Sequence, residues 1–134
     1  LTAAPGTVDL GGGKLSAAWA YNGHVPGPTF RANNGQSVAV TLLNHLPEET
    51  TVHWHGMIVP EAADGHPKDA IAPGGSYSYQ YTIGQRACLN WYHPHPHMMT
   101  GMQVALGLAG AFIINDAEES ALNLPGGAYE IPLV

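Results

Sequence analysis

Lysine and arginine together number only four against ten acidic residues, for a net charge of −6. No basic face is available to grip a phosphate backbone, so nucleic acid is excluded as a partner. The one cysteine, Cys88, excludes an internal disulfide and leaves the redox compartment unassigned. No apolar run approaches the ~20 residues that cross a bilayer, which argues against a membrane span. No signal-peptide pattern opens the chain, and Leu1 in place of Met is what a processed or excised chain would show. Charged residues make up only 10%, whereas glycine and proline are plentiful, at 17 and 11 of 134 residues. That balance describes one domain of short strands joined by many turns.

Read in order, the first 13 residues are glycine-rich and ambiguous, and Lys14 to Tyr21 makes a first strand. Asn22 to Pro28 is turn chemistry, and Thr29 to Ala32 is a strand entered past a proline. Asn33-Asn34-Gly35 is a hairpin-type turn. Gln36 to His45 alternates Val38, Val40 and Leu42 on one face with Ala39, Thr41 and Leu43 on the other. Thr50 to Trp54 is β-branched and aromatic, so it reads as a strand ending in His53-Trp54-His55. Residues 60–75 form a long loop punctuated by Asp64-Gly65 and Pro73-Gly74-Gly75, of a length often functional in a compact domain. Ser76 to Ile83 sets Tyr77, Tyr79, Tyr81 and Ile83 on one face, and Ala87 to Tyr92 runs into His93-Pro94-His95-Pro96-His97. Met98 to Leu106 suits one or two helical turns, Ala109 to Asn115 a closing strand, and Asp116 to Pro125 a linker towards an apolar, strand-like Ile131 to Val134. The expected fold is all-β, an antiparallel sandwich with Greek-key connections.

The two His-x-His pairs carry the chemistry. In a strand, residues i and i+2 share a face about 7 Å apart, so each pair aims two imidazoles in one direction. Were the two strands neighbours, four imidazoles would converge, more than one open-sited metal uses and natural for a multinuclear copper centre. Neutral imidazole also suits zinc, iron and nickel. The lack of carboxylates and cysteines beside either pair disfavours a His/carboxylate iron site and structural zinc. Trp54 and Tyr92 are placed to shield the rings. A lone His-x-His is more often fortuitous than functional; two at strand ends reverse that weighting.

The segments Thr51-Val52-His53-Trp54-His55-Gly56 and Trp91-Tyr92-His93-Pro94-His95-Pro96-His97, with Thr100-Gly101, Gln103-Val104, Gly107-Leu108-Ala109-Gly110 and a strand ending in Asn115-Asp116, resemble the first cupredoxin domain of a multicopper oxidase, of the bacterial laccase and cuprous oxidase branch. Val25-Pro26-Gly27-Pro28-Thr29 and Pro73-Gly74-Gly75 extend the resemblance over nearly the whole chain. It implies a cupredoxin-like domain over 1–116, with 117–134 leading towards a following domain. It implies copper as cofactor, His53 as a ligand of the type 2 ion, His55 as a ligand of the type 3 pair, and His93 and His95 as one ligand to each type 3 ion. The other four ligands and the type 1 electron-entry site would come from a C-terminal cupredoxin domain, of the same protein or of another subunit. Asp64, eleven residues past His53, matches an acidic residue that supplies protons near the cluster. The four protons consumed in reducing dioxygen to water make such a carboxylate chemically sensible. The resemblance also implies a periplasmic or extracellular location.

The complete oxidase would oxidise phenols or cuprous ions and reduce dioxygen, while this chain alone is expected to be inactive. The alternative is a stand-alone or self-associating copper-binding module in which several half-sites meet through homo-oligomerisation. A second rival is a structural relative that has given up copper, against which both retained His pairs speak. Met98, Met99 and Met102 depart from the family pattern. Their thioethers suit cuprous copper, although packing in a domain interface is the plainer reading. Cys88 is expected to pack as a small apolar residue, His97 to neighbour the ligands, and His24, His45 and His66 to lie at surfaces or turns.

Overall fold

A computed structural model describes residues 1–133. Eight strands build two four-stranded sheets: β1 (Thr2–Asp9), β2 (Leu15–Tyr21), β3 (Phe30–Asn33), β4 (Ser37–Asn44), β5 (His53–His55), β6 (Ser76–Thr82), β7 (Cys88–His93) and β8 (Gly110–Asn115). One sheet has the order β2-β1-β4-β6 and the other β3-β8-β7-β5. From β2 onward the chain passes repeatedly from one sheet to the other before β7 and β8 pair, which bears out the expected sandwich. The pairing is not wholly antiparallel, since β1 runs parallel to β4 and β3 parallel to β8. Two short helices, α1 (Thr100–Ala105) and α2 (Ala117–Ala121), complete the chain with three 3-10 turns.

Alternation explains how the core and the histidines share strands. On β5, Trp54 turns inward and is fully buried while His53 and His55 turn outward. On β7, Asn90 and Tyr92 turn inward and Leu89, Trp91 and His93 outward. The inner faces meet as an aromatic cluster. Trp54 packs edge-on to Tyr79 and Phe112 at 5.7 and 5.9 Å, with Tyr81 at 5.4 Å and Tyr92 at 6.0 Å. Burial of such rings is the main stabilising term and makes the base under the histidines rigid.

Several expectations change. The first residues form β1, paired with β2 along its length from Ala3 opposite Tyr21 to Asp9 opposite Leu15. Three consecutive glycines, Gly11 to Gly13, all at positive φ, turn the chain back and supply the conformation that makes this hairpin. The strand expected from Thr50 is only His53–His55, and Thr50 is reduced to an isolated bridge with Ile71. In the expected linker, Asp116 caps α2 by accepting the Glu119 N–H at 2.7 Å. Residues Ile131 to Leu133 form no strand, and Val134 lies outside the described residues. Cys88 does not pack as an apolar residue but is exposed. Its thiol lies in a polar cluster, accepting from Asn90 Nδ2 at 3.1 Å and Gln85 Nε2 at 3.3 Å.

Candidate metal centre

The antiparallel ladder between β5 and β7 sets His53 opposite His93, Trp54 opposite Tyr92 and His55 opposite Trp91. His53, His55 and His93 are therefore on adjacent strands and on the same outward face. His95 lies past the end of β7, beyond Pro94, so strand alternation does not place it. The other three rings nonetheless surround His53, with centroids 5.8 Å to His55, 5.3 Å to His93 and 5.3 Å to His95.

Hydrogen bonds fix which ring nitrogens are free. His53 Nδ1 donates to the Asp64 carbonyl at 2.9 Å and His93 Nδ1 to the Pro94 carbonyl at 2.7 Å. Each bond leaves a lone pair on Nε2, the arrangement in which a backbone acceptor orients an imidazole for a metal. His93 Nε2 faces His55 Nδ1 at 3.1 Å, so the proton between them belongs to His55. Two nitrogens each about 2.0–2.1 Å from a single ion lie about 3 Å apart, so His93 Nε2 and His55 Nδ1, once the Nδ1 proton has moved to the other ring nitrogen, fit the same ion. Ligand atoms of His53, His55 and His93 all lie within 4.8 Å of one another. Trp91 covers the pair, its ring 5.0 Å from His55 and 4.2 Å from His93. Burial is the main cause that lowers the His93 pKa to about 4, with the neighbouring imidazoles adding to it and the bond to Pro94 opposing. That ring is therefore neutral, and able to ligate, at pH 7.

Asp64 is brought to the site, though first through its backbone. Its carbonyl orients His53, while carboxylate Oδ1 stands 3.2 Å from the same Nδ1 and is buried without a hydrogen bond among the described residues. His66 approaches the other carboxylate oxygen at 3.7 Å. The loop carrying Asp64 is pinned at two points, by Trp54 Nε1 donating to the Ala63 carbonyl at 2.9 Å and Tyr77 Oη to the Ala62 carbonyl at 2.6 Å. His97 and His24 and His45 are exposed, apart from the cluster. His95 Nδ1 is buried with no partner, as is Asp64 Oδ1. These two orphaned polar atoms, with the bare Nε2 atoms, are what a cationic group at this face would satisfy.

A two-sheet sandwich with imidazoles converging on one outer face defines a cupredoxin-type metal domain. Residues 2–119 match the family model described as multicopper oxidase. The chain is 35% identical to a multicopper oxidase of Staphylococcus aureus over 100% of its own length and 30% of the relative's. It is 37% identical to a laccase of Bacillus stratosphericus, covering 87% of this chain and 28% of that one. The solved laccase of Pediococcus acidilactici superposes with a TM-score of 0.87 at 41% identity, over 93% of this chain and 27% of the other. The chain belongs to the multicopper oxidase family, whose cofactor is copper, and spans less than a third of the length of these relatives.

Sequence reasoning missed the groups that hold the ligands in place. The acceptor role of the Asp64 and Pro94 carbonyls is a backbone property with no residue-type signal. Thr51 belongs to the first histidine motif, but its residue type alone assigns it no role there.

Proposed function

We propose that residues 1–116 are the first cupredoxin domain of a multicopper oxidase and supply half of its trinuclear copper cluster, with 117–134 leading to the next domain. In this reading His53 serves the type 2 ion, His55 and His93 share one type 3 ion, and His95 serves the other. The observation that carries it is the 3.1 Å approach of His55 Nδ1 to His93 Nε2, beside a third imidazole and beneath a tryptophan lid. Copper held there by His53, His55, His93 and His95 would supply the redox chemistry for reducing dioxygen to water, with a phenol or cuprous ion oxidised elsewhere in the complete protein.

This chain's own residues hold and orient. Asp64 and Pro94 carbonyls set the tautomers of His53 and His93, Trp91 excludes water from one side, and the Asp64 carboxylate stands ready to hold a proton beside His53. The other half of the ligands belongs to a partner cupredoxin domain facing His53, His55, His93 and His95. A periplasmic or extracellular location accompanies this reading, and no helix among the described residues is long and apolar enough to cross a membrane.

Reconstitution with copper is expected to load the chain with about one ion or more, because its bare imidazole nitrogens already converge, and to give no oxidase turnover. Metal analysis returning less than about half a copper per chain would sink the proposal. Turnover by the chain alone would instead favour self-association of half-sites. In the complete oxidase, Asp64→Asn should leave copper content near normal, since the carbonyl that orients His53 is kept. Dioxygen reduction should slow by about 10²–10⁴-fold, the usual contribution of a positioned acid or base. An unchanged turnover number would remove the carboxylate from the mechanism.

A further inference from the structure

Three of the four imidazoles are held through their rings. His53 and His93 each donate Nδ1–H to a carbonyl, and His55 bonds to His93 beneath Trp91. His95 differs. Neither of its ring nitrogens has a hydrogen-bond partner among the described residues, Nδ1 being buried without one, and its aromatic neighbours are His53 at 5.3 Å and His93 at 6.0 Å. It also lies outside the β5–β7 ladder, flanked by Pro94 and Pro96, which have no N–H to give. The single backbone donor in that three-residue run is the His95 N–H, and it donates to Thr51 Oγ1 at 2.8 Å.

Thr51 is fully buried, two residues before His53. Its neighbour Thr50, equally buried, donates its hydroxyl to Gln103 Oε1 at 2.8 Å, and Gln103 Nε2 donates to the Glu49 carbonyl at 2.8 Å, tying α1 to the same segment. The backbone carrying His95 is thus fastened by one hydroxyl to the stretch that leads into the other histidine pair.

We infer that Thr51 is a positioning residue: its hydroxyl, accepting the His95 N–H, sets where the His95 imidazole stands relative to the other three. The inference rests on the reading of His95 as a ligand. Proline on both sides leaves the segment no other backbone donor. Its neighbours' carbonyls accept, Pro94 from His93 Nδ1 and Pro96 from the Met99 N–H and the Thr100 hydroxyl. The bond made at His95 itself is the one to Thr51, and a ring without partners follows its backbone. Loss of the hydroxyl frees His95 and leaves the cluster of His53, His55 and His93 intact.

The test follows His95 in this chain by NMR, with Zn²⁺ as a diamagnetic probe, in the wild type, Thr51→Val and Thr51→Ser. In the wild type the His95 amide should be protected from hydrogen exchange by at least about tenfold over open loop amides, and Zn²⁺ should shift all four imidazoles. In Thr51→Val the shifts of His53, His55 and His93 should persist while that of His95 falls by half or more. Thr51→Ser, which keeps the acceptor, should restore it. A wild-type His95 amide that exchanges like an open loop overturns the inference even if Thr51→Val fails to fold. So does a serine variant as impaired as valine, or a valine variant like the wild type. If Zn²⁺ shifts none of the four rings in the wild type, the metal reading itself fails, and amide protection still judges the Thr51 bond.

Discussion

Replacing His93 with alanine should remove tight metal binding from this chain. His93 is the most enclosed of the four imidazoles, at 4% exposure, and its Nε2 is the atom that His55 Nδ1 faces at 3.1 Å. It also stands opposite His53 in the ladder, its ring 5.3 Å from that of His53 and 5.4 Å from that of His55, so its loss removes one corner of the three-ring cluster. Loss of a group that merely orients a ligand weakens metal affinity about 10–100-fold, so loss of this ligand should exceed about 100-fold, read by competition with a chelator. The same ring makes the metal-free chain acid-sensitive. Folded His93 takes up a proton only near pH 4, chiefly because burial disfavours its charged form, whereas unfolded histidine does so near about 6.5. Between those values the unfolded chain binds more protons, so His93 stabilises the fold fully above about pH 6.5 and progressively less as pH falls towards 4. His93→Gln, which cannot titrate, should flatten the dependence of Tm on pH in that window. An unaltered dependence would mean that other groups cause it.

The legibility of this molecule in its sequence divides along a physical line. Side-chain alternation on His53-Trp54-His55 and Trp91-Tyr92-His93 is a local property of extended chain, and it turns the histidines out but Trp54 and Tyr92 into the core. Those two aromatics therefore do not shield the imidazoles as expected, and Trp91, on the histidine face, covers His55 and His93 instead. The neighbourhood of the two strands needed the further likeness of their flanking motifs to a known domain. What stayed hidden was backbone and tertiary. Glycine-rich residues 1–13 give no hydrophobic period, yet they include β1, because Gly11 to Gly13 close a hairpin whose partner strand is already committed. The β-branched run predicts too long a strand at Thr50, since its threonines serve side-chain bonds to Gln103 and His95 instead of a ladder. Cys88 follows the general burial preference of cysteine in expectation and defies it in fact, because its position on β7 lies at the strand's exposed start.

Gly65→Ala should be the most damaging single-methyl addition near the site. Gly65 has φ +67°, and a Cβ there would stand 1.9 Å from the Val52 carbonyl oxygen and 3.0 Å from the His53 nitrogen. The left-handed conformation alone costs a non-glycine residue about 1–2 kcal/mol. The overlap is with backbone of the segment entering β5, which cannot rotate aside, so a total loss of about 3 kcal/mol or more is expected in denaturant unfolding. Gly74 provides the control, since it has φ +77° but open space where the methyl would go. Gly74→Ala should therefore lose only the conformational part, about 1–2 kcal/mol, and keep its metal. Gly65→Ala should also weaken metal binding, because relieving the overlap moves Asp64 away from His53 and releases the Nδ1 bond that fixes that ring's tautomer. Equal losses of stability in the two variants would show that the loop yields at Gly65. The Asp64 carbonyl would then be held against His53 by the Trp54 and Tyr77 bonds alone, and close passage of the loop over Val52 would not be what orients the ligand.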